Sequence, residues 1–162
     1  LSPEIIYYCL RDFLKRLSDS EPDSRINIVT HSLGGIIARS AISFLPPETV
    51  AKIRRIVMLA PPNKGSDVAR FLTEYMPFTG KIARPLPELS STDTSAVHSI
   101  PLINSRIEVG IIAGTRDIEV RNEYTHLPGE KAHVTIRCGH TLMPFLPETG
   151  RLVLSFMNTG SF

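Results

Sequence analysis

Apolar residues near the start of the chain recur at three- and four-residue intervals: Ile5, Ile6, Cys9, Leu10, Phe13, Leu14 and Leu17. This spacing predicts an amphipathic helix over residues 3–17, entered through Ser2-Pro3-Glu4, which suits a cap and first turn. A polar stretch holding Pro22 follows, then Ile26-Asn27-Ile28-Val29-Thr30, a short strand pattern. After His31-Ser32-Leu33-Gly34-Gly35 a second helical pattern runs to Leu45, where Pro46-Pro47 ends it. Residues 53–60 are almost continuously apolar and close on Pro61-Pro62, as expected of a strand buried on both faces.

Ser66 is placed to cap a helix over residues 67–75. The stretch from 76 to 106 differs, with Pro77, Pro85, Pro87 and Pro101 and little periodicity, and is expected to be an irregular lid or pocket segment. Residues 107–113 and 133–138 read as two more strands, ending at Gly114-Thr115-Arg116-Asp117 and at Gly139-His140. A helix over residues 148–157 closes the chain. Helices alternate with buried strands throughout, which predicts one α/β domain over residues 1–162 with a mostly parallel sheet flanked by helices.

Composition narrows the function classes. With 162 residues, 42% apolar and 21% charged, the chain is ordinary for a globular domain with a real core. Lys and Arg exceed Asp and Glu by only 18 to 16, and the basic residues are scattered, so nucleic-acid binding has little support. No apolar run approaches the roughly 18 residues of a membrane span. Cys9 and Cys138 stand far apart and suit neither a disulfide framework nor a metal knuckle. The chain opens at Leu1, without Met or a signal peptide, directly in a helical pattern, as though a segment stood upstream. Its compartment is therefore unassigned.

The candidate chemistry lies at strand ends. Ser32, between a strand and a helix and followed by Leu33-Gly34-Gly35, fits a nucleophile on a sharp turn, with the Leu33 amide and the helix N-terminus facing an oxyanion. A serine nucleophile needs a base and an orienting carboxylate. Asp117 and His140 each follow a strand, in the order Ser, Asp, His. Glu119 and Glu123 are near enough in sequence to replace Asp117. His31 is expected to pack or hydrogen-bond near the serine turn or, with Asn63, to line the substrate site. A simple turn with a helix cap explains Asn63 equally well, and Phe71, Met76, Phe78 and Leu86 are expected to wall an acyl pocket or pack in the core. His126, His133 and His140 recur every seven residues, but on a loop and a strand that interval sets no metal geometry.

Residues 26–42 (INIVTHSLGGIIARSAI), residues 54–72 (RRIVMLAPPNKGSDVARFL) and the segment from Asp117 to Thr141 resemble the bacterial lipase/esterase group of the α/β-hydrolase superfamily. The similarity runs over about residues 1–157. It implies hydrolysis of carboxylic esters, on small acyl-ester or lipid substrates, through an acyl-enzyme on Ser32 with His140 as base and Asp117 as acid. It implies no cofactor and no metal. Two departures stand out: Thr30 occupies the usual glycine of the serine turn, and nothing matches the group's N-terminal strands or their second oxyanion loop. The expectation is thus a partial hydrolase domain whose first strand has an unpaired edge open to self-association. Two further readings are an acyltransferase on the same triad, and an inactive truncated domain that serves as a binding or interaction module.

Overall fold

A computed structural model describes residues 3–64, 103 and 106–162 of the chain. The described elements are α1 (Pro3–Ser20), β1 (Ile26–His31), α2 (Gly34–Ser43), α3 (Pro47–Val50), β2 (Ile53–Leu59), β3 (Glu108–Gly114), α4 (Asn122–Thr125), β4 (Ala132–Ile136), a 3-10 turn (Met143–Phe145) and α5 (Pro147–Thr159). The four strands form one sheet in the order β1-β2-β3-β4, and every neighbouring pair is parallel. The expected helix at 67–75 and the expected lid at 76–106, apart from Ile103 and Arg106, lie outside the described residues.

Side chains alternate across the strands and separate two cores. Ile56 and Met58 of β2 and Val109 and Ile111 of β3 join Leu14 of α1 and Ile42 of α2 on one face. Val57, Leu59 and Ile112 point the other way and meet Ile136, Met143 and Phe156 of α5. This double burial is why β2 and β3 read as nearly continuous apolar runs. Gly110 is required on the second face, because a Cβ there would come within 2.8 Å of both the Phe156 and Phe162 rings.

Several boundaries move from their expected places. The strand over 53–60 stops at Leu59, and Ala60 turns into the left-handed region at φ 44°. The strand over 133–138 ends at Ile136, because the Cys138 carbonyl leaves the sheet to accept from the Arg116 N–H at 3.1 Å. Pro46-Pro47 ends α2 and also starts α3, with Pro47 in the first turn, where a missing N–H is harmless.

Candidate active site

In a parallel sheet all C-terminal strand ends share one edge. The turns after β1, β2, β3 and β4 therefore bring Ser32, Asn63, Asp117 and His140 to that edge. Ser32 sits in the left-handed region at φ 54°, a conformation that strains a residue with a Cβ. Its N–H donates to Leu59 O at 2.8 Å, and the Gly35 N–H donates back to Ser32 O at 3.1 Å. The Ser32 hydroxyl is buried and has no hydrogen-bond partner among the described residues. Leu33 follows at the N-cap position of α2.

Thr30 packs beside the two glycines after the turn. A Cβ on Gly34 would lie 3.5 Å from Thr30 Cβ, and one on Gly35 would lie 3.5 Å from Thr30 Oγ1 and 3.2 Å from Pro61 Cβ. The tightest of these approaches is that of Gly35 to Pro61; the distances to Thr30 are ordinary contacts. The left-handed turn at Ala60 is what carries Pro61 onto α2.

Asp117 and His140 meet directly. His140 Nδ1 donates to Asp117 Oδ2 at 2.7 Å, with both side chains almost wholly shielded from solvent. The other carboxylate oxygen accepts the Glu119 and Val120 N–H groups at 2.9 and 2.8 Å, which fixes the carboxylate plane. Neither alternative acid takes this place. Glu119 Oε2 lies 3.8 Å from the opposite nitrogen, Nε2, and Glu123 pairs with Arg121 at 3.9 Å on the surface.

Three strand spacings of about 4.8 Å separate β1 from β4, so the loop after β4 must lean back across the sheet edge. Gly114 makes this approach feasible: a Cβ there would stand 2.6 Å from the Cys138 carbonyl. The lean brings His140 to the serine turn, where His31 Nε2 lies 3.1 Å from His140 O and the two rings are 4.7 Å apart. His31 is half-buried, and its pKa is pushed below 6.5, first by burial and then by the neighbouring His140. Burial, and after it the Asp117 charge, raises the Cys138 thiol.

Asn63, expected to face substrate, is engaged internally. Its Nδ2 donates to Thr125 O at 2.7 Å, and its Oδ1 accepts from Arg39 Nη1 at 3.3 Å. It is a tie between the turn after β2, α4 and α2. His31 hydrogen-bonds near the serine turn, as one expectation has it, but its partner, the His140 carbonyl, has no counterpart in the sequence pattern. Among the described residues no group of His, Cys, Asp and Glu is arranged to hold a metal ion. His126 and His133 stack at 4.0 Å instead of converging on a common point. A cavity of about 880 Å³ lies at the opposite end of the sheet, lined by Arg25, Ile53 and Arg106 among others, and its lining includes none of His31, Ser32, Asn63, Asp117 and His140.

The model of the PGAP1-like alpha/beta domain matches residues 3–141. The chain belongs to that family. Solved structures of the α/β-hydrolase fold resemble it over nearly its whole length. The mature Bacillus licheniformis lipase BlEst2 aligns with a TM-score of 0.60 at 16% identity, covering 97% of this chain and 74% of the lipase. A putative non-heme bromoperoxidase, BpoC, of Mycobacterium tuberculosis aligns with 0.58 at 14% identity, covering 94% and 74%. A structure from work on carboxylesterases of Nitrososphaera gargenis aligns with 0.56 at 17% identity, covering 94% and 71%. No curated protein is similar enough in sequence to count as a relative. The superfamily read from the serine turn is therefore the one this PGAP1-like domain shares in fold. No helix among the described residues is long and apolar enough to cross a membrane.

Proposed function

We propose that this PGAP1-like domain is a serine hydrolase of the lipase/esterase type, acting on carboxylic esters of small acyl or lipid substrates. The observation that carries the reading is the buried Asp117–His140 hydrogen bond of 2.7 Å at the sheet edge that also holds Ser32 in a left-handed turn. Asp117 accepts a hydrogen bond from Nδ1–H, which assigns the role of base to Nε2 of His140. His140 takes the Ser32 hydroxyl proton as Oγ attacks the ester carbonyl, and the carbonyl π electrons pass to its oxygen. That oxyanion is held by the Leu33 amide at the positive end of α2. Collapse expels the alkoxide, which takes the proton from His140. Water, deprotonated by the same Nε2, then releases the acid and restores Ser32.

The test is labelling by a fluorophosphonate probe of the chain and of its Ser32→Ala variant. Labelling of the parent alone is expected, followed by turnover of p-nitrophenyl esters. A folded parent chain that neither labels nor turns over these esters would move the reading to a non-catalytic domain.

A further inference from the structure

His31 stands one residue before the nucleophile of the proposed reaction, yet its side chain is turned to the base. A backbone carbonyl can only accept, so the 3.1 Å contact with His140 O requires a hydrogen on His31 Nε2. The bond joins the last residue of β1 to the loop after β4, across the two strands that separate them. Among the described residues, the same carbonyl accepts one further backbone bond, from the Met143 N–H at 3.3 Å. Met143 belongs to the loop itself and cannot tie it to the serine turn. The His31 ring lies 4.7 Å from the His140 ring at an interplanar angle of 40°, so it also limits how far the imidazole can swing.

We infer that His31 is a positioning residue, whose Nε2–H anchors the His140 carbonyl and holds the base over the serine turn, and not a substrate contact. This inference rests on the reading of Ser32, Asp117 and His140 as a hydrolytic triad. Two supports converge on the His140 ring: Asp117 sets its rotation through Nδ1, and His31 sets the height of its backbone. Burial, and then the neighbouring His140, lowers the His31 pKa, which favours its neutral form beside the imidazolium that forms during the reaction.

Two variants separate donor from ring. His31→Phe keeps an aromatic ring but removes the N–H, whereas His31→Gln removes the ring and keeps an amide N–H at nearly the same reach. With p-nitrophenyl butyrate as probe, Phe is expected to lower kcat about 10- to 100-fold, the scale of a misplacement near 1 Å, with KM little changed. Gln is expected to recover most of that loss. The low-field proton resonance of the His140–Asp117 bond gives a readout independent of turnover; it should broaden or move in the Phe variant and persist in Gln. A raised KM with unchanged kcat in Phe would make His31 a substrate contact and overturn the inference. Equal losses in both variants, or an undisturbed low-field resonance in Phe, would overturn it too. A folded parent chain that shows the resonance, loses it in Phe and cleaves no ester would instead overturn the hydrolase reading and leave the tie standing.

Discussion

Asp117 is held at both carboxylate oxygens, one by the Glu119 and Val120 amides and the other by His140. Its replacement by Asn has a predictable chemistry. The side-chain oxygen can keep the two backbone amides, which leaves the NH₂ group facing His140 Nδ1. Two donors then oppose each other, and the imidazole must place its proton on Nε2, the nitrogen that accepts from Ser32 in the proposed reaction. Asp117→Asn is therefore expected to reduce kcat on the order of 10⁴-fold, as a wrong tautomer does in a Ser-His-Asp triad, with thermal stability little affected. Turnover of p-nitrophenyl butyrate beside a melting curve measures both. Asp117, His140 and Ser32 were legible as residues just past strands, because a parallel sheet collects those positions at one edge. Asn63 had the same signature and a different use. Position past a strand says which edge a residue occupies but not whether its side chain turns to the cleft or to Thr125. That His31 bonds near the serine turn was legible from its place beside Ser32; that its partner is the His140 carbonyl was not, since a long-range contact to backbone imposes no residue type on its partner.

Among the elements, the two turns that carry Asp117 and His140 depend on one glycine. At Gly114 a Cβ would meet the Cys138 carbonyl at 2.6 Å and Asp117 Cβ at 3.2 Å. The first is backbone and cannot rotate away. Gly114→Ala is expected to cost about 1–3 kcal/mol by overpacking and to slow fluorophosphonate labelling by spreading the loops apart; chemical denaturation and labelling rate test the two parts. The loop from α4 to β4 carries its own proton-sensitive contact. Thr125 Oγ1 donates to Asn122 O at 2.7 Å, so the 2.8 Å bond to His133 is donated by His133 Nε2. Burial, and then the stacked His126 ring, lowers the His133 pKa from 6.5, with Glu130 opposing. The unfolded chain thus binds more protons than the folded one once the pH falls below 6.5, and the stability present above that value is lost as the pH drops toward the depressed folded pKa. His31 acts in the same direction. The melting temperature should fall on acidification from neutral pH, and His133→Gln should make that fall shallower without removing it. The long elements were legible because period and burial agree over several turns or residues. α3, α4 and the 3-10 turn were not, since three or four residues hold too little periodicity to register.

For the whole molecule, the decisive feature is that β1 carries the serine turn and is also the last strand of the sheet among the described residues. The Ile26 and Ser32 N–H groups both donate toward the β2 side, to Lys52 O and Leu59 O, each at 2.8 Å. In a parallel strand, alternate residues point their backbone groups to opposite neighbours. Asn27, Val29 and His31 therefore present theirs to the other side, and Val29 adds an apolar side chain that is half exposed. An edge of this kind is a template for another strand. The chain is expected to self-associate with rising concentration, and Val29→Lys, which sets a charge on that edge, to weaken association roughly tenfold, or ~1.4 kcal/mol. Sedimentation velocity over a wide concentration range reads both. A parent chain that stays monomeric throughout, or a variant that associates equally, would remove the edge from the account. Should association through β1 hold, it would also bear on the site, because the strand whose end carries His31 and Ser32 would gain a second neighbour. Labelling of Ser32 would then rise with concentration in the parent chain and stay flat in Val29→Lys.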